Sequence, residues 1–122
     1  MSPRKPRTAA KTKKLCVELA KKIVRSAARC EKCNKTNRQF HGAHILSTGA
    51  YPAMSAELDN ILCLCASCHT MAPDSWHKEI IKNCEWLESK YPGRIAALKV
   101  KAQTKIKVDW ELKLEELKQW KM

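Results

Sequence analysis

Two Cys-x-x-Cys pairs are the residues of this sequence whose spacing most clearly indicates chemistry. Cys30 and Cys33 form the first pair, and Cys65 and Cys68 form the second. The spacing within a pair lets two sulfur atoms reach one metal ion, and two pairs together supply the tetrahedral four-thiolate shell that Zn²⁺ favours. The sequence therefore predicts a structural zinc site made of these four cysteines.

The other three of the seven cysteines have simpler interpretations. Cys63 stands two residues before Cys65, so in a strand it would share a face with that ligand. A buried thiol is the favoured interpretation of Cys63, and displacement of a zinc ligand is the alternative. Cys16 and Cys84 fall on the apolar stripes of predicted helices, where cysteine is typical of a small core residue.

A second group of polar residues lies between the cysteine pairs and just after them. It contains His41, His44, Asn60 and His69, the last of which directly follows Cys68. Each histidine alone is typical of a surface or core position. If zinc holds the two cysteine pairs together, however, the strand carrying His44 and the helix start carrying His69 must lie near each other. The sequence therefore predicts two imidazoles and an amide around one cleft.

The chain is strongly basic, with 24 Lys and Arg against 12 Asp and Glu and a net charge of +12. Such a chain accumulates on polyanions, either nucleic acid or an anionic membrane. No apolar run approaches the roughly 20 residues that a membrane span needs, and the N-terminus lacks the apolar core of a signal peptide. We therefore expect DNA as the partner, no membrane association, and a cytoplasmic location in which thiols stay reduced.

The length of 122 residues predicts one domain with appendages. Residues 1–14 carry six basic residues, two prolines and no acid, a composition typical of a flexible arm. We expect this arm to lie along DNA phosphates, and a solubilising tail is the alternative. Residues 15–90 then form the domain, and residues 91–122 form a C-terminal helical extension.

Apolar periodicity predicts the helices that must position these groups. They run over residues 15–28, from an Asp74 or Ser75 cap to about residue 91, over residues 92–103, and from an Asp109 cap to about residue 120. His77 is therefore expected in the first turn of a helix, and no role is assigned to it. The turn-rich segment over residues 29–75 is where we expect the chemistry.

The order and spacing of the motif residues resemble the HNH endonuclease family, in its cysteine-containing branch and its phage recombination-endonuclease-like members. The sequence reads Cys30-x-x-Cys33, His44, Asn60-Ile-Leu-Cys-Leu-Cys65-x-x-Cys68-His69. The segment from His44 to Pro52, followed by Leu58-x-Asn60, also looks like the loop of the phage enzymes. The resemblance covers residues 15–90. It implies a small α+β fold with a ββα-metal, treble-clef-like core stapled by the four-cysteine zinc site, flanked by an N-terminal helix and C-terminal helices.

The resemblance also implies a role for each motif residue. His44 would be the general base that takes a proton from the attacking water. Asn60 would lie in the hairpin and orient His44 through backbone or side-chain hydrogen bonds. His69 would hold a catalytic Mg²⁺ or Mn²⁺ ion, which binds a phosphate oxygen and the departing 3′ oxygen.

One position departs from the commonest pattern of the family. The residue before the general base is usually an acid or a second histidine, whereas here it is Ala43. Some phage members place the ligand three residues ahead of the base, and His41 stands there, on the same strand face as Ala43. His41 and His69 would then hold the catalytic ion. Because two imidazoles suit Zn²⁺, Ni²⁺ or Mn²⁺ better than Mg²⁺, other divalent ions stay open.

The function that follows is a metal-dependent DNA endonuclease, phage-encoded, working in the host cytoplasm in DNA recombination, processing or packaging. Two alternatives from other classes stay open. The first is a non-catalytic zinc-stapled DNA-binding module. The second is an interaction protein whose basic arm and C-terminal helix dock onto a larger phage or host DNA-processing assembly.

Overall fold

A two-stranded antiparallel sheet and four α-helices form the main regular structure of the computed structural model, which describes residues 8–104 and 107–120. In chain order the elements are α1 (Ala9–Arg25), β1 (Phe40–His44), β2 (Ile61–Cys65), α2 (Ile80–Lys90), α3 (Arg94–Thr104) and α4 (Trp110–Lys118). Short one-turn helices cover Pro52–Met54, Leu58–Asn60 and Ser67–Met71. The small α+β class is confirmed. No described helix combines the length and the apolar character that a membrane crossing requires.

The β1–β2 hairpin forms the centre of the fold. Its register pairs Phe40 with Cys65 and His44 with Ile61. Strand β2 is buried along its whole length, because its two faces belong to different cores. Ile61 packs with α1 and α4, whereas Leu62 packs with residues of the segment leading into α2 and of α2 itself. A strand covered on both faces has a continuous apolar sequence rather than an alternating one.

Helix α1 begins earlier than the periodicity predicted. Thr8 is its N-cap, and the Thr8 hydroxyl accepts a hydrogen bond from the backbone N–H of Lys11 at 3.3 Å. Thr12 is buried, and its hydroxyl donates to the Glu111 carboxylate of the α4 region at 2.8 Å. Residues 9–14, which were predicted to belong to the flexible arm, are therefore helical because they pack against the other end of the chain. Residues 1–7 of that arm lie outside the described residues.

Helix α2 begins at Ile80 rather than at the predicted Asp74 or Ser75 cap. The side-chain amide of Asn83 lies within hydrogen-bonding distance of three backbone carbonyls ahead of the helix, those of Asp74, Ser75 and Glu79. Residues 73–79 are consequently held as turns. His77 lies in these turns and not in the first turn of a helix.

The C-terminal helices share the core of the domain. Leu114 and Leu117 of α4 are buried together with Cys16, Ala20 and Ile23 of α1. Glu57, only 5% exposed, forms ion pairs with Lys101 of α3 at 2.8 Å and with Lys113 of α4 at 3.1 Å. The described part of the predicted extension therefore covers one side of the hairpin and of α1.

A pair of leucine variants tests whether α4 belongs to this core. We expect Leu117→Ala to lower the free energy of unfolding by about 2–5 kcal/mol, because it removes a buried side chain and leaves a cavity. Leu112→Ala on the same helix is the control, since Leu112 is 58% exposed, and should change stability little. Chemical denaturation followed by circular dichroism measures both. Equal stabilities of the two variants would show that α4 does not contribute to the core.

Candidate functional site

Four cysteine sulfurs meet at one end of the hairpin. Cys30 and Cys33 lie in the loop after α1, Cys65 ends β2, and Cys68 lies in the turn that follows. The four Sγ atoms all lie within 4.8 Å of one another, and the Sγ atoms of Cys33 and Cys65 are 3.7 Å apart. Tetrahedral Zn–S bonds of about 2.3 Å place sulfurs about 3.8 Å apart. The cluster therefore fits a metal ion such as zinc, as the spacing predicted.

The two cysteine turns are built alike. In each of them the backbone N–H of the second cysteine points to the sulfur of the first, from Cys33 to Cys30 and from Cys68 to Cys65, both at 3.5 Å. Burial favours the neutral thiol of Cys30, but backbone N–H groups, with that of Cys33 first, outweigh it and lower the pKa of Cys30 to about 7. Burial raises the pKa of Cys33 and of Cys68. A metal that binds here must displace the protons of these thiols.

Glu31, inside the first cysteine turn, fastens that turn to its surroundings. Its carboxylate accepts hydrogen bonds from the Cys63 backbone N–H at 2.6 Å and from the Tyr91 hydroxyl at 2.8 Å. The Glu31 backbone N–H also donates to the Cys63 carbonyl at 2.8 Å. The turn is thereby joined both to β2 and to the corner between α2 and α3. Sequence reasoning missed this role of Glu31, because its partners lie far along the chain.

The remaining cysteines lie outside the four-sulfur cluster. Among residues 8–104 and 107–120 only Cys30, Cys33, Cys65 and Cys68 form a group of three or more candidate metal ligands. Cys63 is buried in β2, and burial raises the pKa of its thiol. Cys16 is fully buried between α1 and α4. Cys84 is half-buried on α2.

Three histidines form a chain of contacts beside the second cysteine turn. His41 of β1 and His69 lie with their Nδ1 atoms 2.9 Å apart. His69 and His77 lie with their Nε2 atoms 2.9 Å apart. The structure thus brings the predicted ligands His41 and His69 together and adds His77 on the opposite nitrogen of His69. We call this group of three the histidine cluster.

The three imidazoles of the histidine cluster contact one another directly. The nitrogen–nitrogen distance of 2.9 Å in both pairs is that of a hydrogen bond between two rings. The pKa of His69 is lowered to about 4, chiefly by burial and then by the charges of His77 and His41. Its imidazole is therefore neutral at cellular pH, and both of its ring nitrogens contact a neighbouring imidazole.

His44 ends β1, and its orientation is fixed by one hydrogen bond. Its Nε2 atom lies 2.8 Å from the Ser55 carbonyl oxygen. Since a carbonyl can only accept, Nε2 carries the hydrogen and the lone pair is on Nδ1. Burial lowers the pKa of His44, opposed by the bond to Ser55 and assisted by the charge of Lys21. The result is a neutral imidazole whose Nδ1 atom is available to accept a proton.

Asn60 is fully buried and holds the loop that carries this carbonyl. Its Oδ1 atom accepts from the Leu46 backbone N–H at 2.8 Å, and its Nδ2 atom donates to the carbonyls of Leu46 and Met54, both at 3.1 Å. Met54 directly precedes Ser55, the partner of His44. Asn60 therefore reaches His44 through the loop backbone, with no hydrogen bond between the two side chains.

Loss of one cysteine ligand tests the metal centre. We expect Cys65→Ser to lose bound zinc and most of its folded structure, because structural zinc contributes on the order of 10 kcal/mol of binding free energy to such sites. Cys84→Ser is the matched control, since Cys84 lies outside the cluster. Metal content by atomic absorption and thermal melts measure both variants. A Cys65→Ser protein that keeps a full zinc ion and the wild-type melt would contradict the assignment.

Two buried asparagines allow the role of Asn60 to be separated from simple stability. We expect Asn60→Ala to cost at least about 1–3 kcal/mol, because buried backbone groups lose their partners, and to shift the NMR signals of the His44 ring. Asn83→Ala also removes an amide that bonds three carbonyls, so it should destabilise the protein but leave the His44 signals in place. Unchanged His44 signals in Asn60→Ala would refute the positioning role.

These features give one cluster of four sulfurs and, beginning at the residue that directly follows Cys68, one group of three imidazoles in contact. Comparison with known proteins adds no identity to them: no family model, curated protein or solved structure matches this chain. What the site does is therefore inferred from its own residues and their chemistry.

Proposed function

We propose that this chain is a metal-dependent DNA endonuclease that hydrolyses phosphodiester bonds with His44 as its general base. The observation that carries the proposal is the hydrogen bond from His44 Nε2 to the Ser55 carbonyl at 2.8 Å. It leaves Nδ1 as the basic atom of a neutral imidazole. A partly buried histidine generally needs such a partner, and this one leaves the lone pair on the nitrogen that faces away from Ser55, as a general base requires if it is to accept a proton from water.

Within this proposal the histidine cluster holds the catalytic divalent ion. His41 and His69 would be its ligands, and His77 would steady His69 or exchange with His41 as the second ligand. Mn²⁺ or Mg²⁺ is the proposed ion, with Mn²⁺ better suited to imidazole nitrogen. When bound, such an ion neutralises negative charge on the scissile phosphate and on the departing 3′ oxygen.

The remaining residues are assigned supporting roles. His44 removes a proton from water, which then attacks phosphorus, while Asn60 keeps the Ser55 carbonyl in place behind the imidazole. The four-cysteine centre holds the turn in which Cys68 is directly followed by His69. The net charge of +12 supports DNA as the substrate. A role in phage DNA recombination, processing or packaging belongs to the same proposal and is supported by the motif resemblance.

A non-catalytic DNA-binding module is the second candidate, and Ala43 is the observation that favours it. Ala43 is completely buried and offers no ligand at the position next to His44. In that case the histidine cluster would have no catalytic role. The zinc site would stabilise the fold, and the basic surface would bind DNA.

A plasmid-nicking assay separates these two functions. We expect the zinc-loaded wild-type protein to relax supercoiled plasmid when Mn²⁺ or Mg²⁺ is added, and His44→Ala to nick about 10² to 10⁴ times more slowly, the usual cost of losing a general base. His44→Ala should keep its zinc and its DNA affinity. Trp120→Ala is a control, because Trp120 is 56% exposed on the far end of the chain. Equal nicking by His44→Ala and wild type under saturating divalent ion would leave the binding module as the better account.

A further inference from the structure

The side-chain stem of Lys21, on α1, lies against Gly42 of β1. A Cβ atom placed on Gly42 of β1 would lie 2.7 Å from Lys21 Cγ and 3.0 Å from Lys21 Cβ. The absence of a side chain at Gly42 is therefore what lets the stem of Lys21 lie against β1. Gly42 stands two residues before His44, so the two residues share one face of β1. The stem of Lys21 therefore lies on the face of β1 that carries His44.

Lys21 differs from the other lysines that are half-buried. The described half-buried lysines are Lys13, Lys21, Lys32, Lys101 and Lys113. Four of them have partners: Lys13 lies over the Trp110 ring, Lys32 bonds the Asp74 carbonyl, and Lys101 and Lys113 pair with Glu57. For Lys21, no hydrogen bond, ion pair or ring contact is formed with any residue of the described part of the chain. Its ammonium group is therefore available to an anion from outside.

The charge of Lys21 acts on His44. It is among the causes that lower the pKa of His44, after burial. The Lys21 ammonium group thus lies within electrostatic reach of this imidazole. A positive charge in this position attracts a phosphate to the place where His44 would act.

We propose that Lys21 binds the backbone phosphate of the DNA that His44 attacks. The inference rests on the proposed nuclease function and names the residue that would hold its substrate. Lysine binds phosphate as a compact point charge, and a preorganised positive charge also stabilises the additional negative charge of the transition state. Glycine is then required at position 42, because any larger residue would displace the stem of the Lys21 side chain.

Replacing Lys21 by a neutral residue tests the inference, with the same replacement at the neighbouring Lys22 as the comparison. Lys22 is exposed and lines the groove between α1 and α4 rather than the hairpin, so Lys22→Gln makes the same change of charge elsewhere on α1. Binding of a short fluorescent DNA duplex is measured by anisotropy at several salt concentrations without added divalent ion. We expect Lys21→Gln to reduce the slope of log K against log salt by about 0.9, the value for one phosphate contact. Lys22→Gln should leave the slope unchanged, and Lys21→Arg should restore it.

The same proteins are then compared in plasmid nicking. We expect Lys21→Gln to nick about 10²-fold more slowly than wild type, as when a preorganised donor is removed, with Lys22→Gln close to wild type. Thermal melts establish that all variants are folded. An unchanged slope in Lys21→Gln, or an equal loss in Lys21→Gln and Lys22→Gln, overturns the inference whether or not the protein nicks. A selective loss of slope in a protein that does not nick supports Lys21 as a phosphate contact and refutes the nuclease function.

Discussion

The meeting of the two cysteine turns is the constraint on which the rest of the structure depends. Cys33 and Cys65 are 32 positions apart in the chain, yet their sulfurs lie 3.7 Å apart. Bringing such distant segments together costs loop-closure entropy, and four thiols provide little attraction to offset it until a metal replaces their protons. Because His69 directly follows Cys68, the position of the second cysteine turn also determines where the histidine cluster lies. Metal binding by the four cysteines thereby determines the geometry of the three imidazoles.

Two buried asparagine side chains supply hydrogen bonds to backbone groups that longer strands and helices would bond in a larger protein. The loop between the strands and the turns before α2 contain no strand and no helix longer than one turn, and their buried backbone groups must still be bonded. Asn60 bonds the loop beside His44, and Asn83 bonds the turns that hold His77. Asn60 therefore fixes the loop whose Ser55 carbonyl contacts His44, and Asn83 fixes the turns that carry His77.

The features predicted from sequence are those whose physical cause is local. A Cys-x-x-Cys spacing acts within one turn, so the four-sulfur cluster was predictable, and so were the helical stripes. The α+β class was instead implied by the motif resemblance. The start of α1 was not, because Thr12 bonds Glu111 at 99 positions along the chain. His77 has no periodic relation to His69, and backbone hydrogen bonds across the turns, including one from the His77 N–H to the His69 carbonyl at 3.2 Å, bring the two together. The sequence analysis assigned no role to Lys21, because nothing local shows that Gly42 will lie against it.

The pairing of α1 with α4 has a consequence for how the chain folds during synthesis. The face of α1 formed by Cys16, Ala20 and Ile23 is completed by Leu114 and Leu117, which leave the ribosome after the hairpin, α2 and α3. Domains generally fold as units during synthesis, and exposed apolar surface makes incomplete chains prone to aggregation. Until α4 has emerged, an apolar stripe of α1 is exposed to water on an otherwise basic helix. A nascent chain stalled before α4 would therefore be a natural target for chaperones that bind short apolar segments flanked by positive charge.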